Sequence, residues 1–84
     1  MTLKQKLFRE YRINYRIWFE WDWKERNENL EFGESVALAH AKSEISAKLN
    51  LIWEVMGKKD REMLNEIASE EVNEVYEEKL NGVA

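Results

Sequence analysis

The sequence contains no cysteine and no proline, and its only glycines are Gly33, Gly57 and Gly82. Without cysteine the chain has neither a disulfide framework nor a thiolate metal site, and this composition is typical of the reducing cytoplasm. Strand-rich domains need a turn about every ten residues, which glycine, proline, asparagine and aspartate usually provide. The scarcity of turn formers therefore predicts a few long helices in a cytoplasmic protein.

Long apolar runs are also lacking, since no continuous stretch approaches the ~18–20 residues of a membrane span. The basic residues near the N-terminus are not followed by the apolar segment of a secretory signal. A chain of 84 residues makes one domain, and a domain of this size buries only ~60–65% of the surface that its unfolded form exposes. We therefore expect a single domain, residues 1–84, without a membrane segment.

Charge is unevenly distributed along the chain, whose formal net charge is −4. Residues 1–16 carry five basic side chains and one acidic side chain, whereas residues 17–84 carry eight basic and sixteen acidic ones. A domain that binds nucleic acid is usually basic overall. The acidity therefore favours a protein partner, including a basic or nucleic-acid-binding protein, over direct contact with nucleic acid.

The C-terminal half predicts two helices, at residues 34–56 and 60–80. In the second, apolar residues recur at i, i+3 and i+4 on one side, and Gly82 provides a stop. The first has two apolar stripes, one at Leu38, Ala41, Ile45, Leu49, Ile52 and Met56 and the other at Val36, His40, Ala47, Leu51 and Val55. A helix that is apolar on two sides is either central in a bundle or buried against a second chain. Gly57 is expected to end this helix, and Asp60 to cap the next one.

The N-terminal third fits both a helix and a strand. Thr2 and Gln5 match a capping box, in which two side chains satisfy the first backbone amides of a helix. Aromatic and β-branched residues nevertheless alternate at period two over residues 11–23, which is typical of a strand. Because the chain offers no second strand to satisfy the backbone of the first, a helix is favoured. The prediction is an all-α antiparallel bundle, assembled as a homodimer, of three helices at residues 3–26, 34–56 and 60–80.

The alternative is an N-terminal strand paired with its copy in a dimer. The run Arg12-Ile13-Asn14-Tyr15-Arg16 resembles the DNA-reading strand of ribbon–helix–helix repressors, in which two chains pair their strands. Gly33-Glu34-Ser35-Val36 falls near the turn between that family's helices, whereas residues 24–29 lack the apolar stripe of its first helix. The resemblance implies a small dimeric regulator that binds DNA through the basic N-terminal segment: Arg9, Arg12, Asn14 and Arg16.

Two clusters on the predicted helices are candidates for protein binding. Trp18, Trp21 and Trp23 point in different directions around the first helix, so a small monomer is expected to leave part of the cluster exposed. Exposed aromatic side chains commonly anchor interfaces. Five glutamates repeat at i+4 in the last helix: Glu62, Glu66, Glu70, Glu74 and Glu78. Core packing is the alternative for the tryptophans, and ordinary solvation is the alternative for the glutamates.

Residues that carry chemistry are few. His40 is the only histidine, and a metal site needs several convergent ligands. A glycine-rich phosphate loop and an oriented nucleophile–base pair are both missing. We therefore predict no enzymatic activity, no cofactor and no metal. The predicted function is that of a non-catalytic adaptor or inhibitor that binds another protein, which by analogy of size and charge suits a phage or mobile-element protein acting on a host nucleic-acid enzyme.

Overall fold

The computed structural model of the chain describes residues 1–83 and contains three helices. Their bounds are α1 Leu3–Asn27, α2 Phe32–Val55 and α3 Lys58–Val83. Within the described residues no strand is formed. The predicted all-α three-helix bundle is therefore confirmed, and the alternative of an N-terminal strand is wrong.

A side-chain cap starts α1 where the sequence predicts it. Thr2 Oγ1 accepts a hydrogen bond from the Gln5 amide at 3.2 Å, and Gln5 Oε1 accepts one from the Thr2 amide at 2.9 Å. The helix continues through the alternating segment because its aromatic residues find partners on two sides. Trp18 contacts a lysine of α2, and Phe19 contacts an aromatic ring of α3. Tertiary packing thus overrides the strand propensity of these residues.

α1 is the central element of the bundle, because α2 and α3 both pack along it and barely touch each other. The two flanking helices meet near the turn that joins them, where Arg61 Nε donates to the Trp53 carbonyl at 2.9 Å. Residues from all three helices form the core cluster: Tyr11, Leu49, Ile52, Met56, Leu64 and Ile67. Among the described residues, α2 and α3 are therefore held together mainly through α1.

α2 is not central, although it is apolar on two sides. Its first stripe faces the core, where Leu49 and Ile52 are buried. Its second stripe faces solvent, with exposed fractions of 41% for Val36, 64% for Leu51 and 61% for Val55. Within the described chain, one apolar face of α2 is therefore left uncovered.

The junction between α1 and α2 and the end of α2 differ from the prediction by a few residues. α2 begins at Phe32, so Gly33 lies in its first turn and does not belong to the connection. α2 ends at Val55, and Met56 has an extended backbone with φ −91° and ψ 144°. The Met56 side chain is buried in the core. The helix therefore ends at a core residue, one position before Gly57.

α3 begins earlier and ends later than predicted. The Gly57 carbonyl accepts a hydrogen bond from the Arg61 amide at 2.9 Å, so helical hydrogen bonding starts before Asp60. Asp60 is therefore not the N-cap; it lies in the first turn, where a carboxylate still interacts favourably with the helix dipole. At the other end Gly82 is helical. No glycine in residues 1–83 has the positive φ of a helix-terminating glycine.

Candidate functional site

An open groove lies between α2 and α3, and α1 forms its floor. α2 and α3 make few contacts with each other, and two open depressions, one between α1 and α3 and one between α1 and α2, share Tyr15 and together form a gap centred on it. One part of the gap, of about 510 Å³, lies between Tyr15 and α3, and a second part, of about 200 Å³, lies between Tyr15 and α2. We refer to this gap as the Tyr15 groove.

Three aromatic rings of α1 line the floor of the Tyr15 groove. The ring centroids of Tyr11 and Tyr15 are 5.9 Å apart, and those of Tyr15 and Trp18 are 6.1 Å apart. These residues follow one another at i, i+4 and i+7, so they share one side of the helix. Burial, and then the neighbouring Tyr15, raise the pKa of the Tyr11 hydroxyl above its ordinary value of 10.0. The floor is therefore aromatic and carries no aspartate, glutamate, lysine or arginine side chain.

The walls of the Tyr15 groove are uncharged as well. α2 and α3 contribute Ser46, Leu49, Asn50, Asn65, Ala68, Ser69, Val72 and Asn73. Among the described residues that line the groove none is charged, although 36% of the whole chain consists of charged residues. Depletion of charge together with enrichment of tyrosine and tryptophan is characteristic of the core of a protein–protein interface. The groove thus has the composition of an interface that is open to solvent.

The predicted tryptophan cluster is divided among three environments. Trp18 lines the floor of the Tyr15 groove. Trp23 packs edge-on against Tyr76 of α3, with ring centroids 5.0 Å apart. Trp21 lines a separate groove of about 330 Å³ between α1 and α2, which is mainly apolar and is bordered by one basic and one acidic residue. Of the three, only Trp18 is placed at the Tyr15 groove.

Lys42 ties α2 to α1 beside Trp18. Its Nζ donates a hydrogen bond to Asp22 Oδ1 at 2.8 Å and lies 5.2 Å from the centroid of the Trp18 ring. The side chains of Lys42 and Asp22 are only 15% and 17% exposed. Desolvation alone would raise the pKa of Asp22, but the hydrogen bond and charge of Lys42, together with Arg26, outweigh it and lower that pKa below 3.8. The folded state therefore favours the charged pair.

This ion pair is expected to make stability depend on acid pH. Because the Asp22 pKa is lower in the folded than in the unfolded state, its stabilising contribution is complete above about pH 4. The contribution is lost as the pH falls through the folded-state pKa. As the pH is lowered below about pH 4, the free energy of urea unfolding should therefore fall more steeply in the wild type than in Lys42→Met. Lys6→Met, at an exposed lysine of α1, should keep the wild-type slope, and equal slopes in all three proteins would contradict the assignment.

The predicted column of glutamates does not form a single solvent-facing row. Each i+4 step advances the position by about 40° around the helix axis, so five glutamates turn through about 160°. Glu62 and Glu66 are exposed on the outer side of α3. Glu70, Glu74 and Glu78 instead reach the arginines of α1. Of the five glutamates, only Glu62 and Glu66 are therefore not engaged by the arginines of α1, fewer than the sequence suggests.

Arg12 and Arg16 of α1 hold α3 through a network centred on Glu71. Arg12 donates to Glu71 at 2.7 Å and to Glu70 at 2.9 Å. Arg16 reaches Glu71 at 3.5 Å and also pairs with two glutamates farther along α3. The hydrogen bonds to Glu71 and then to Glu70 raise the pKa of Arg12. The Glu71 side chain is only 4% exposed, so this network includes a buried charge.

The residues predicted for DNA binding are not presented together. Arg12 and Arg16 are engaged with α3, as described above. Asn14 is buried, and its side-chain amide donates to the Glu10 carbonyl at 2.7 Å. Arg9 is the one member of the set that is exposed. The four side chains therefore form no continuous surface for a DNA groove.

The sequence-based interpretation missed most of the Tyr15 groove, because the groove depends on the distance between α2 and α3. A signal was nevertheless present in α3. Uncharged residues recur at i, i+3, i+4, i+7 and i+8, at Asn65, Ala68, Ser69, Val72 and Asn73. This spacing defines one side of a helix. An uncharged side next to the buried stripe, in a helix otherwise rich in glutamate, is the sequence feature that could have located the α3 wall of the groove.

The described residues contain neither a cluster of metal ligands nor a membrane-spanning helix. Within residues 1–83, no group of three or more histidine, aspartate or glutamate side chains is arranged to hold a metal ion. None of the described helices combines the length and the apolar composition needed to cross a bilayer. Comparison of the chain with protein-family models, with curated proteins and with solved structures gave no match.

Proposed function

We propose that the chain is a non-catalytic protein-binding module, whose partner inserts a helix into the Tyr15 groove. The observation that carries the proposal is the groove itself. Two helices are held apart on a third, and the space between them is lined by uncharged residues and three aromatic rings. Burial of such a surface by a partner removes apolar and aromatic area from water, which drives association.

Shape and charge favour a short amphipathic helix as the occupant. The α3 wall extends from Asn65 to Asn73, or about 12 Å at the helical rise per residue, a little over two turns. Ligand helices bind in such slots through apolar anchors on one face. A charged side chain buried here would meet no opposite charge, which is costly. The contacting face of the partner is therefore expected to be uncharged, with an apolar or aromatic anchor over Tyr15.

The negative charge on the outer side of α3 suggests, within the same proposal, that the partner is basic. Glu62 and Glu66 are exposed beyond the groove, and charges at the rim of an interface mainly increase the rate of association. A partner helix with an uncharged inner face and basic flanking residues would satisfy both surfaces. By binding such a segment, the chain would act as an adaptor or an inhibitor in the cytoplasm.

An arginine placed in the groove is expected to abolish capture of the partner. A photo-crosslinking residue at position 69 would be used in extract of the native host, in the wild type and in two variants. Val72→Arg introduces a charge into the groove wall at a half-buried position whose neighbours at i±3 and i±4 are all uncharged, and it should reduce the adduct at least about tenfold. Asn81→Arg changes an exposed asparagine of the same helix outside the groove, and it should leave the adduct unchanged.

A second crosslinking position provides the internal control. Ile13 is exposed on the other side of α1 from Tyr15, so a crosslinker there should give little of the same adduct. Equal adducts at both positions, or no adduct at position 69, would overturn the proposal. An adduct formed only with a second copy of the chain would also overturn it, because the occupant would then not be another protein.

A further inference from the structure

We infer that the uncovered apolar face of α2 is the interface of a symmetric homodimer, in which two copies of α2 pack antiparallel. This face, which we call the outer stripe, consists of Val36, His40, Ala47, Leu51 and Val55. It lies away from the core and is separate from the Tyr15 groove. The inference therefore stands independently of the proposed function.

The outer stripe exposes apolar side chains near both ends of α2, with His40 and Ala47 between them. It extends over residues 36–55, or about 29 Å at the helical rise per residue. Leu51 and Val55 keep 64% and 61% of their surface exposed, and Phe32 extends the surface at one end with 85%. Several large apolar side chains exposed on one side of a helix indicate an interaction site, whereas single exposed apolar residues do not.

The positions in the outer stripe are self-complementary about a two-fold axis through its middle. In a two-fold interface, residue i contacts residue j of the other copy, and j contacts i. His40 and Leu51 are equally far from the axis, so each lies opposite the other in an antiparallel partner. Val36 and Val55 are also equally far from it, at the two ends. Ala47 lies next to the axis, where its small side chain allows the two helices to approach closely.

Charges beside the axis are complementary in the same register. Glu44 and Lys48 are both exposed, on the same side of the outer stripe. A two-fold axis perpendicular to both helices places the Glu44–Lys48 side of one copy next to the same side of the other copy. Because the helices are antiparallel, Glu44 of each copy then lies beside Lys48 of the other. Sliding the partner by one turn in one direction would place Glu44 beside Glu44, and in the other direction Lys48 beside Lys48. Like-charge repulsion would therefore select the antiparallel register.

A single charge in the outer stripe is expected to convert the dimer into a monomer. Sedimentation equilibrium of the full chain at high micromolar concentration should give twice the chain mass for the wild type and the chain mass for Leu51→Glu. Leu80→Glu is the matched control, because Leu80 is 68% exposed against 64% for Leu51 but lies on α3. It should remain dimeric. A monomeric wild type, or equal dissociation by both variants, would overturn the inference.

A charge exchange tests the register. Glu44→Lys places lysine beside Lys48 of the other copy, and Lys48→Glu places glutamate beside Glu44 of the other copy. Each variant alone should dimerise at least about tenfold more weakly than the wild type. Mixing the two variants restores both opposite-charge pairs, so a heterodimer of wild-type affinity is expected. A mixture that stays as weak as its components would contradict the antiparallel register.

Discussion

Leu64→Ala is expected to lower the free energy of unfolding by ~3–5 kcal/mol, the range for large-to-small changes at fully buried positions. Leu64 has no exposed surface and belongs to the cluster shared by the three helices. The flanking helices are held mainly by α1, so the cavity would loosen the core cluster in which all three meet. Small domains are stable by only about 5–15 kcal/mol, so the loss would be a large part of the total.

Chemical denaturation followed by circular dichroism measures this loss. Leu80→Ala removes the same atoms from a side chain of the same helix that is 68% exposed, and it should change stability by less than about 0.5 kcal/mol. A loss of less than about 1 kcal/mol in Leu64→Ala would contradict the packing described for the core, because such a site would have to collapse completely.

The helical nature of α1 was predictable because one local signal decided between two patterns. The alternation over residues 11–23 and the helical spacing of the same aromatic residues are both real features of the sequence. The Thr2–Gln5 capping box starts a helix, and the chain contains no partner strand within the described residues. Strand propensity is context-dependent, and here both sides of the helix find aromatic or basic partners.

The helix ends are less predictable, because a glycine does not by itself end a helix. Gly33 and Gly82 are both helical, at a cost of roughly 1 kcal/mol each relative to alanine. The turn between α2 and α3 is instead placed by Met56, which leaves the helix and is buried in the core. Burial is a tertiary property, so no local rule reports it.

The packing of α3 against α1 was not predictable, because it involves a glutamate whose burial is evident only in the folded chain. Glu71 lies in the buried stripe of α3, between Ile67 and Val75. A buried carboxylate needs a cation opposite it. Arg12 and Arg16 of α1 supply that cation, which places α3 against α1. The network joins α3 to α1 and includes no residue of α2.

Removal of both arginines is expected to lower the free energy of unfolding, because the network then loses the partners of its buried carboxylate. The combined variant Arg12→Met and Arg16→Met leaves Glu71, with a side chain 4% exposed, as a buried charge without a partner. Loss of the partner of a buried charge typically costs ~3–5 kcal/mol, and we expect the free energy of unfolding to fall by that amount. Retention of wild-type stability would show that the Glu71 carboxylate is solvated and that the network contributes little to stability.

Addition of Glu71→Leu to that double variant should restore most of the loss. An apolar set of similar volume often stabilises as well as a buried ion pair, because no charge has to be desolvated. Stability is therefore expected to return to within about 1 kcal/mol of the wild type. Glu70→Leu is the matched control, because the Glu70 side chain is 61% exposed and its removal leaves the buried charge in place. If Glu71→Leu restores stability to the double variant and Glu70→Leu does not, the destabilisation comes from the buried Glu71 carboxylate. Equal recovery with either substitution would contradict that assignment.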